Sequence, residues 1–219
     1  AVLHYTNLER EAPAEVRSFL IDAGAQVHGY ASDITRTYSK DDARFQALIE
    51  RMDAMELAIV DKVEAGVDYR DLHVGAHRML AEVLVDAELA TGDPDTLLAT
   101  GVTSAFFPHG LGHLLGIQVH DVGGHQQNES GTIIDPPSGH PFLRLTRVLE
   151  ADMVLTIEPG LYVIDMLRDE LRGSPAEQHV NWDSVDWLRP FGGIRIEDDV
   201  RVMAGGRENL TRDAFAAAS

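Results

Sequence analysis

The sequence predicts an α+β fold, because helical and strand-like patterns occupy different parts of the chain. Apolar residues recur at helical spacing over residues 41–65 and again over residues 68–89. Beyond residue 105 the chain changes to short apolar runs separated by glycine and proline clusters, which are typical of strands and turns. With 219 residues, 44% apolar and 25% charged, the chain is long enough for one domain with a substantial core.

The first predicted element is a β-hairpin in SFLIDAGAQVHGYASDITRTYS. Apolar residues lead into Asp22 and continue after Asp33, and the turn-prone HGYAS lies between them. If the chain reverses between Val27 and His28, the two aspartates face each other across the ladder. Like charges in that position are destabilising, so a bound metal ion is one explanation for them. A bulge that breaks the register, or a surface hairpin with two solvated aspartates, is the alternative.

Two helices are predicted next. The first covers residues 41–65, and Gly66 is placed to end it. The second covers residues 68–89, with Asp68 as its N-cap, and the loop TGDPD follows. Their apolar stripes indicate that both helices pack against a sheet formed by the rest of the chain.

Strands are predicted in GIQVHDV, DMVLTIEPGLYVI and GGIRIEDDVRVM, with LRGSPAEQHVNWDSVDWLRP as an insertion between the last two runs. Glu158 and Glu197 each lie inside such a run, where an apolar or β-branched residue is usual. The segment PHGLGHLLGIQVHDVGG adds His109, His113 and His120 among glycines that would let the backbone approach a ligand closely.

Together these residues favour a metal site over a set of unrelated polar residues in strands. A single strand acid is usually an edge residue, and a single strand histidine is usually a hydrogen-bonded core residue. Two aspartates, two glutamates and one neutral imidazole form an oxygen-rich ligand set that suits Mn²⁺ or a similar divalent ion. Their four negative charges would balance two such ions.

Composition excludes several other classes of protein. The chain has no cysteine, which removes disulfides, thiolate ligands and thiol nucleophiles. A net charge of −18 makes DNA and other polyanions poor partners. No apolar run is long enough to span a membrane, and the first residues do not resemble a signal peptide, so a cytoplasmic location is expected. Export of a longer precursor stays open.

The ordered set Asp22, Asp33, His113, Glu158 and Glu197 resembles the five metal ligands of the pita-bread metallopeptidases, which include methionine aminopeptidase, aminopeptidase P and prolidase. The stretches AVLHYTNL, DAGAQVHGYASDITRTY, FFPHGLGHLLGIQVHDVGG, MVLTIEPGLYV and PFGGIRIEDDV are similar to those of the bacterial prolidase group, which also contains organophosphorus acid anhydrolases. The resemblance covers essentially the whole chain. It implies the pita-bread fold, a curved and mostly antiparallel sheet covered by helices.

The resemblance also implies a role for each of the five ligands. Asp22 would chelate one metal ion, and Asp33 and Glu197 would bridge two ions. His113 and Glu158 would complete the shell of the second ion. Two divalent ions per chain are therefore expected, with Mn²⁺ as the first choice and Co²⁺ or Zn²⁺ as alternatives.

Other positions match residues that act on the substrate in this family. Glu158 would transfer protons, His120 would contact the substrate and stabilise the tetrahedral intermediate, and His109 would lie nearby. Arg144 matches the position that holds the terminal carboxylate of the substrate. The remaining matches, which line the pocket or support a ligand, are Leu3, His4, Tyr69, Leu143 and Arg195, the last on the same strand face as Glu197 by alternation.

The implied activity is hydrolysis of dipeptides with a carboxy-terminal proline, with organophosphate hydrolysis as a side activity. A methionine aminopeptidase or an aminopeptidase P is the alternative, and a non-catalytic binding module is the alternative from another class. The expected partner is a small peptide, with no nucleic acid or membrane, and a homodimer is left open. Residues 1–219 are expected to form one catalytic domain, without the family's amino-terminal domain, that binds metal but turns over slowly.

Overall fold

The computed structural model describes residue 11 and residues 15–218, so the predicted pocket residues Leu3 and His4 lie outside the described residues. The strands are β1 (Ser18–Ala23), β2 (Gln26–Val27), β3 (Tyr30–Ala31), β4 (Ile34–Ser39), β5 (Val154–Ile157), β6 (Gly160–Tyr162), β7 (Gly193–Arg195), β8 (Asp198–Met203) and β9 (Gly206–Asn209). The α-helices are α1 (Ala43–Val60), α2 (Tyr69–Asp86), α3 (Pro94–Ala99), α4 (Val102–Phe106), α5 (Asp165–Arg172), α6 (Trp182–Leu188) and α7 (Leu210–Ala218). Among the described residues, no helix is both long and apolar enough to cross a membrane.

The predicted hairpin is confirmed, but its predicted register is wrong. β1 pairs antiparallel with β4, and β2 pairs with β3 at the tip. The chain reverses between His28 and Gly29, whose φ values of 52° and 91° suit the left-handed turn that joins tightly paired strands. Asp22 therefore pairs with Thr35, and Asp33 lies two residues before Thr35. Residues two apart in a strand share a face, so the two aspartates are diagonal neighbours and not a direct pair.

Both predicted helices are confirmed, with earlier ends. The carboxylate of Asp42 accepts a hydrogen bond from the Phe45 amide at 2.8 Å and caps α1. α1 ends at Val60, five residues before the predicted boundary, and Gly66 lies in the turn beyond it with a φ of 94°. Asp68 caps α2 as predicted. The two helices pack together and bury their apolar stripes in one core with the sheet.

The sheet is antiparallel and is organised around β7 and β8. β5 pairs with β8, and β6 pairs with β7, while β9 extends the sheet beyond β8. A bridge between Thr35 and Glu197 joins β4 of the hairpin to the chain between β7 and β8. The predicted strands in DMVLTIEPGLYVI and GGIRIEDDVRVM are thus confirmed, and LRGSPAEQHVNWDSVDWLRP lies between them as predicted.

The strand predicted in GIQVHDV is wrong. Residues 107–153 are mostly irregular, with isolated bridges such as that between Leu114 and Leu155. The alternating apolar residues Ile117 and Val119 are exposed and pair with no strand among the described residues. The Asp121 amide instead donates to the Leu114 carbonyl and closes a loop. This irregular segment carries four of the predicted substrate-contacting residues, His109, His120, Leu143 and Arg144, so the loops supply the histidines of the site.

Candidate metal centre

Glu158 and Glu197 lie where two paired strands are interrupted. β5 and β6 flank Glu158 and Pro159, and β7 and β8 flank Glu197. Because β5 pairs with β8 and β6 pairs with β7 in one continuous register, Glu158 is opposite Glu197. Proline has no amide hydrogen and cannot donate to the ladder, which accounts for part of the interruption. The break turns two strand acids toward a common space.

The predicted ligands, together with His120, form three overlapping groups, in each of which the candidate ligand atoms lie within 4.8 Å of one another. The groups are Asp22, Asp33 and Glu197; His113, Glu158 and Glu197; and Asp33, His113 and His120. Asp33, His113 and Glu197 each belong to two groups. Residues shared in this way are what a site for two neighbouring ions requires.

His113 lies between two of the acids. Its Nε2 is 3.6 Å from the Asp33 carboxylate and 3.5 Å from the Glu158 carboxylate. Its Nδ1 is 3.0 Å from the Leu114 carbonyl oxygen, which can only accept, so the Nδ1–H donates there and Nε2 faces the acids. Burial lowers the pKa of His113, but the Asp33 and Glu158 carboxylates outweigh it and the net shift is upward.

The centre holds more negative charge than its side chains neutralise. Burial raises the pKa of Glu158 to about 7, although His113 and Arg195 oppose that shift. Burial, with the nearby Glu158 charge, raises the pKa of Glu197 well above its ordinary value. Burial also raises the pKa of Asp22, against the effect of Arg195. Four carboxylates face only one guanidinium and one imidazole, so the donor set fits hard divalent cations.

Arg195 lies beside two of the carboxylates. Its guanidinium forms an ion pair with Asp22, and its Nε is 3.9 Å from the Glu197 carboxylate. The Nε also donates to Thr35 Oγ1 at 3.3 Å, and Thr35 Oγ1 donates to Glu197 at 2.5 Å. Sequence reasoning missed Thr35, although its position two residues after Asp33 puts it on the same strand face.

His109 reaches the centre through Tyr162. Its Nδ1 is 2.8 Å from the Gly110 carbonyl and 4.0 Å from the Glu158 carboxylate, and its Nε2 is 2.7 Å from the Tyr162 hydroxyl. The Tyr162 hydroxyl is also 3.4 Å from Arg195. Burial lowers the pKa of His109 to about 4, so its ring is neutral at pH 7. Sequence reasoning missed Tyr162 because a tyrosine in an apolar strand resembles an ordinary core residue.

A cavity of about 360 Å³ opens beside the centre. It is lined by His113, His120, Asp121, Gly123, Gly124, His125, Gln126, Ile133 and Arg144. The ring of His120 packs edge-on against His113, with centroids 4.4 Å apart. Arg144 is exposed on the cavity wall and forms no ion pair within residues 15–218. The cavity thus has candidate ligands at one end and an available guanidinium on its wall.

Tyr69 and Leu143 have a packing role in the structure. Both are buried in the core, and neither lines the cavity. The Tyr69 hydroxyl donates to the Thr156 carbonyl at 2.9 Å, which anchors α2 to β5 just before Glu158. Their assignment to the substrate pocket stays a prediction.

Two of the glycines among the histidines, Gly110 and Gly112, allow close backbone packing, while Gly123 and Gly124 line the cavity. A side chain at Gly112 would collide with the Thr156 carbonyl and the Tyr69 hydroxyl. A side chain at Gly110 would press on the backbone of Leu143. Close packing of the HGLGH segment on β5 lets Thr156 Oγ1 accept the His113 amide at 3.1 Å, which sets the position of the imidazole.

The fold and the site define a metallopeptidase of the pita-bread type. The model of metallopeptidase family M24 matches residues 1–204, and the chain belongs to that family. An Xaa-Pro dipeptidase of Xanthomonas campestris pv. campestris (strain B100) is 58% identical over 218 residues, which cover 99% of this chain and 49% of that protein. One from Shewanella denitrificans is 56% identical over 213 residues, which cover 97% of this chain and 48% of that protein.

Solved structures show the same architecture. Zn-substituted Escherichia coli aminopeptidase P, in complex with product, superimposes with a TM-score of 0.65 and 31% sequence identity over 90% of this chain and 38% of that chain. The chain spans about half the length of the two Xaa-Pro dipeptidases that it matches.

Proposed function

We propose that this chain carries the hydrolytic site of an Xaa-Pro dipeptidase. Asp22, Asp33, His113, Glu158 and Glu197 would hold two divalent ions, with Mn²⁺ preferred. The observation that carries this proposal is the overlap of the three ligand groups through Asp33, His113 and Glu197. Ions bound there would supply Lewis acidity, which polarises a carbonyl and makes water a better nucleophile at neutral pH.

Glu158 is the proposed proton carrier. It lies between His113 and His109, and burial already raises the pKa of its carboxyl to about 7 without metal. It would take a proton from the attacking water and pass one to the nitrogen of the leaving proline. Positioned proton transfer of this kind typically contributes about 10²–10⁴-fold to a rate.

His120 and Arg144 are proposed to hold the substrate. Both line the cavity beside His113. His120 would hydrogen-bond the oxygen on which negative charge develops during attack. Arg144 would pair with the free carboxylate of the proline residue, and a guanidinium does so with two parallel hydrogen bonds. The distance between the two groups would then select a substrate two residues long.

Arg195, Tyr162 and His109 are proposed as positioning residues. Arg195 restrains Asp22 and approaches Glu197, while the Tyr162 hydroxyl links Arg195 to His109. Partners of this kind orient ligands without touching the reacting atoms. Organophosphate hydrolysis, a homodimer and a cytoplasmic location stay predictions.

An aminopeptidase activity is the alternative hypothesis. The structural relative reported above is an aminopeptidase P, whereas the sequence relatives at 56% and 58% identity are Xaa-Pro dipeptidases. An exposed Arg144 on the cavity wall favours the dipeptidase, because an aminopeptidase substrate continues beyond proline and places no carboxylate there.

The test is a metal-titrated assay with Gly-Pro, Leu-Pro and a methionine-initiated tripeptide, with Glu158→Gln as the inactive reference. Mn²⁺-dependent cleavage of the two dipeptides, and none of the tripeptide, is the expected result. Preferential cleavage after methionine would contradict the proposal and favour the aminopeptidase alternative.

A further inference from the structure

Three histidines form a cluster outside the candidate metal centre. His73 and His77 lie one turn apart on α2, and His140 reaches them from the irregular segment. Their ring centroids are 4.5–4.7 Å apart. One ring nitrogen of each lies within 4.8 Å of the other two. The Phe107 ring stands between this cluster and the centre, with its centroid 4.8 Å from that of His77 and 4.8 Å from that of His109.

The cluster contains buried nitrogens without a hydrogen-bond partner. His73 and His77 are each 1% exposed. Within the described part of the chain, His73 Nδ1 and His77 Nε2 make no hydrogen bond. A buried polar atom without a partner costs free energy. Phenylalanines could pack edge-to-face in the same way without that cost, so packing alone does not account for imidazoles at these positions.

The protonation of the rings suits metal binding. His77 Nδ1 is 3.1 Å from the hydroxyl oxygen of Thr103, which is buried. An Nδ1–H donating to that hydroxyl leaves the lone pair of Nε2 available, and metal-bound histidines commonly use their second nitrogen in this way. Burial lowers the pKa of His77 to about 3 and that of His73 even further, so both rings are neutral at pH 7. A neutral imidazole is the form that binds a metal.

We propose that His73, His77 and His140 form a separate zinc site. Three imidazoles without a carboxylate select Zn²⁺ over Mn²⁺, which prefers oxygen ligands. In a tetrahedral zinc site the ligand nitrogens lie about 3.3 Å apart, so nitrogens that now lie within 4.8 Å of one another must approach by up to about 1.5 Å. His140, partly exposed and outside any helix or strand, can supply that movement, while the helix fixes the other two rings. The fourth position is left for water.

A bound ion would tie the segment around His140 to α2. Arg144 follows His140 by four residues in the same segment and lines the cavity. Zinc would therefore fix one wall of the cavity without contributing a ligand to the centre. The site itself does not depend on the proposed peptidase activity.

To test the proposal, the Mn²⁺-loaded chain is dialysed against micromolar free Zn²⁺, and its zinc content per chain is measured by mass spectrometry. The unaltered chain should hold one more zinc ion than His140→Ala, because exchange at the centre affects both proteins equally. His28→Asn is the matched control, since it removes an exposed imidazole from the hairpin turn, where asparagine tolerates the φ of 52°. It should hold as much zinc as the unaltered chain. Equal zinc content in the unaltered chain and His140→Ala would overturn the proposal.

A second measurement decides the matter if His140→Ala fails to fold. Crystals of the unaltered chain grown with Zn²⁺ should show an anomalous scattering peak at the zinc edge, bounded by the three imidazoles. Absence of that peak, with zinc present at the centre, would show that the histidines are only packed together. Zinc that binds at millimolar but not at micromolar concentration would have the same meaning.

Discussion

Glu158 lies directly opposite Glu197 at the point where two paired strands are both interrupted. Opposed like charges destabilise an antiparallel ladder, and burial increases the cost because it removes the water that would solvate them. The arrangement therefore opposes folding of the metal-free chain and favours binding of cations.

Replacing Glu158 by glutamine should stabilise the metal-free chain and weaken its binding of Mn²⁺. A gain of about 1 kcal/mol would raise the melting temperature by roughly 2–4 °C in a chain of this size. Melting curves in chelator and calorimetric titration with Mn²⁺ measure the two effects. Glu150→Gln is the control, because the Glu150 side chain is exposed and pairs only with Arg147 among the described residues. A Glu158→Gln chain that melts lower, or that binds Mn²⁺ unchanged, would contradict the account.

The metal-free chain should lose stability as the pH rises toward neutrality. Burial raises the pKa of Glu158 from 4.5 to about 7, and that of Asp199 from 3.8 to about 7, so the folded chain holds protons that the unfolded chain has released. This stabilisation is present at and below about pH 4.5 and is lost as the pH approaches 7. Urea unfolding in chelator should show the decline, and Glu158→Gln should make it shallower. Mn²⁺, which binds ionised carboxylates, should stabilise the chain more at pH 7 than at pH 5. Stability that rises with pH in chelator would exclude this account of the carboxylates.

Replacing Arg144 by alanine should weaken capture of Xaa-Pro substrates. Loss of a charge-assisted pair with the substrate carboxylate should raise KM more than it lowers kcat, by about 10-fold or more. An Xaa-Pro amide, which has no carboxylate, should already be a poor substrate of the unaltered chain. Arg147→Ala in the same segment is the control, since Arg147 pairs with Glu150 and does not line the cavity. Equal hydrolysis of acid and amide by the unaltered chain would refute the carboxylate clamp.

Replacing Tyr162 by phenylalanine should slow catalysis without removing the metal ions. The substitution deletes the hydroxyl that lies 2.7 Å from His109 and 3.4 Å from Arg195, and leaves the packing of the ring. Loss of such a positioning partner typically costs about 10–100-fold in activity or metal affinity. We expect the loss in kcat, with two Mn²⁺ per chain retained. The exposed Tyr38→Phe serves as control. Unchanged kcat in Tyr162→Phe would remove Tyr162 from the positioning network.

The sequence predicted the acids of the centre because each one departs from what a strand ordinarily contains. It did not predict their pairing. The Asp22 and Asp33 register depended on the centre of the turn, and the left-handed conformations of His28 and Gly29 moved that centre by one residue. The opposition of Glu158 and Glu197 joins residues far apart in the chain, so no local pattern reports it.

The roles of the adjacent acids Asp198 and Asp199 could not be predicted from the sequence either. Alternation places Glu197 and Asp199 on one strand face and Asp198 on the other. Asp199 accepts the Asp33 amide at 3.2 Å and supports the centre, whereas the fully buried Asp198 pairs with Arg36 at 2.6 Å. Which face meets the centre depends on the assembled sheet. Residues of ordinary strand chemistry, such as Tyr162, gave no signal at all.

The number of Mn²⁺ ions bound per chain tests the two-ion centre most directly. Calorimetry combined with metal analysis should give two ions for the unaltered chain. The histidine cluster should not add to this count, because its side chains offer no oxygen ligand to Mn²⁺. Asp33→Asn, which alters a residue shared by two ligand groups, should reduce the binding of both ions. One ion or none in the unaltered chain, or two tightly bound ions in Asp33→Asn, would contradict a centre in which Asp33 bridges two metals.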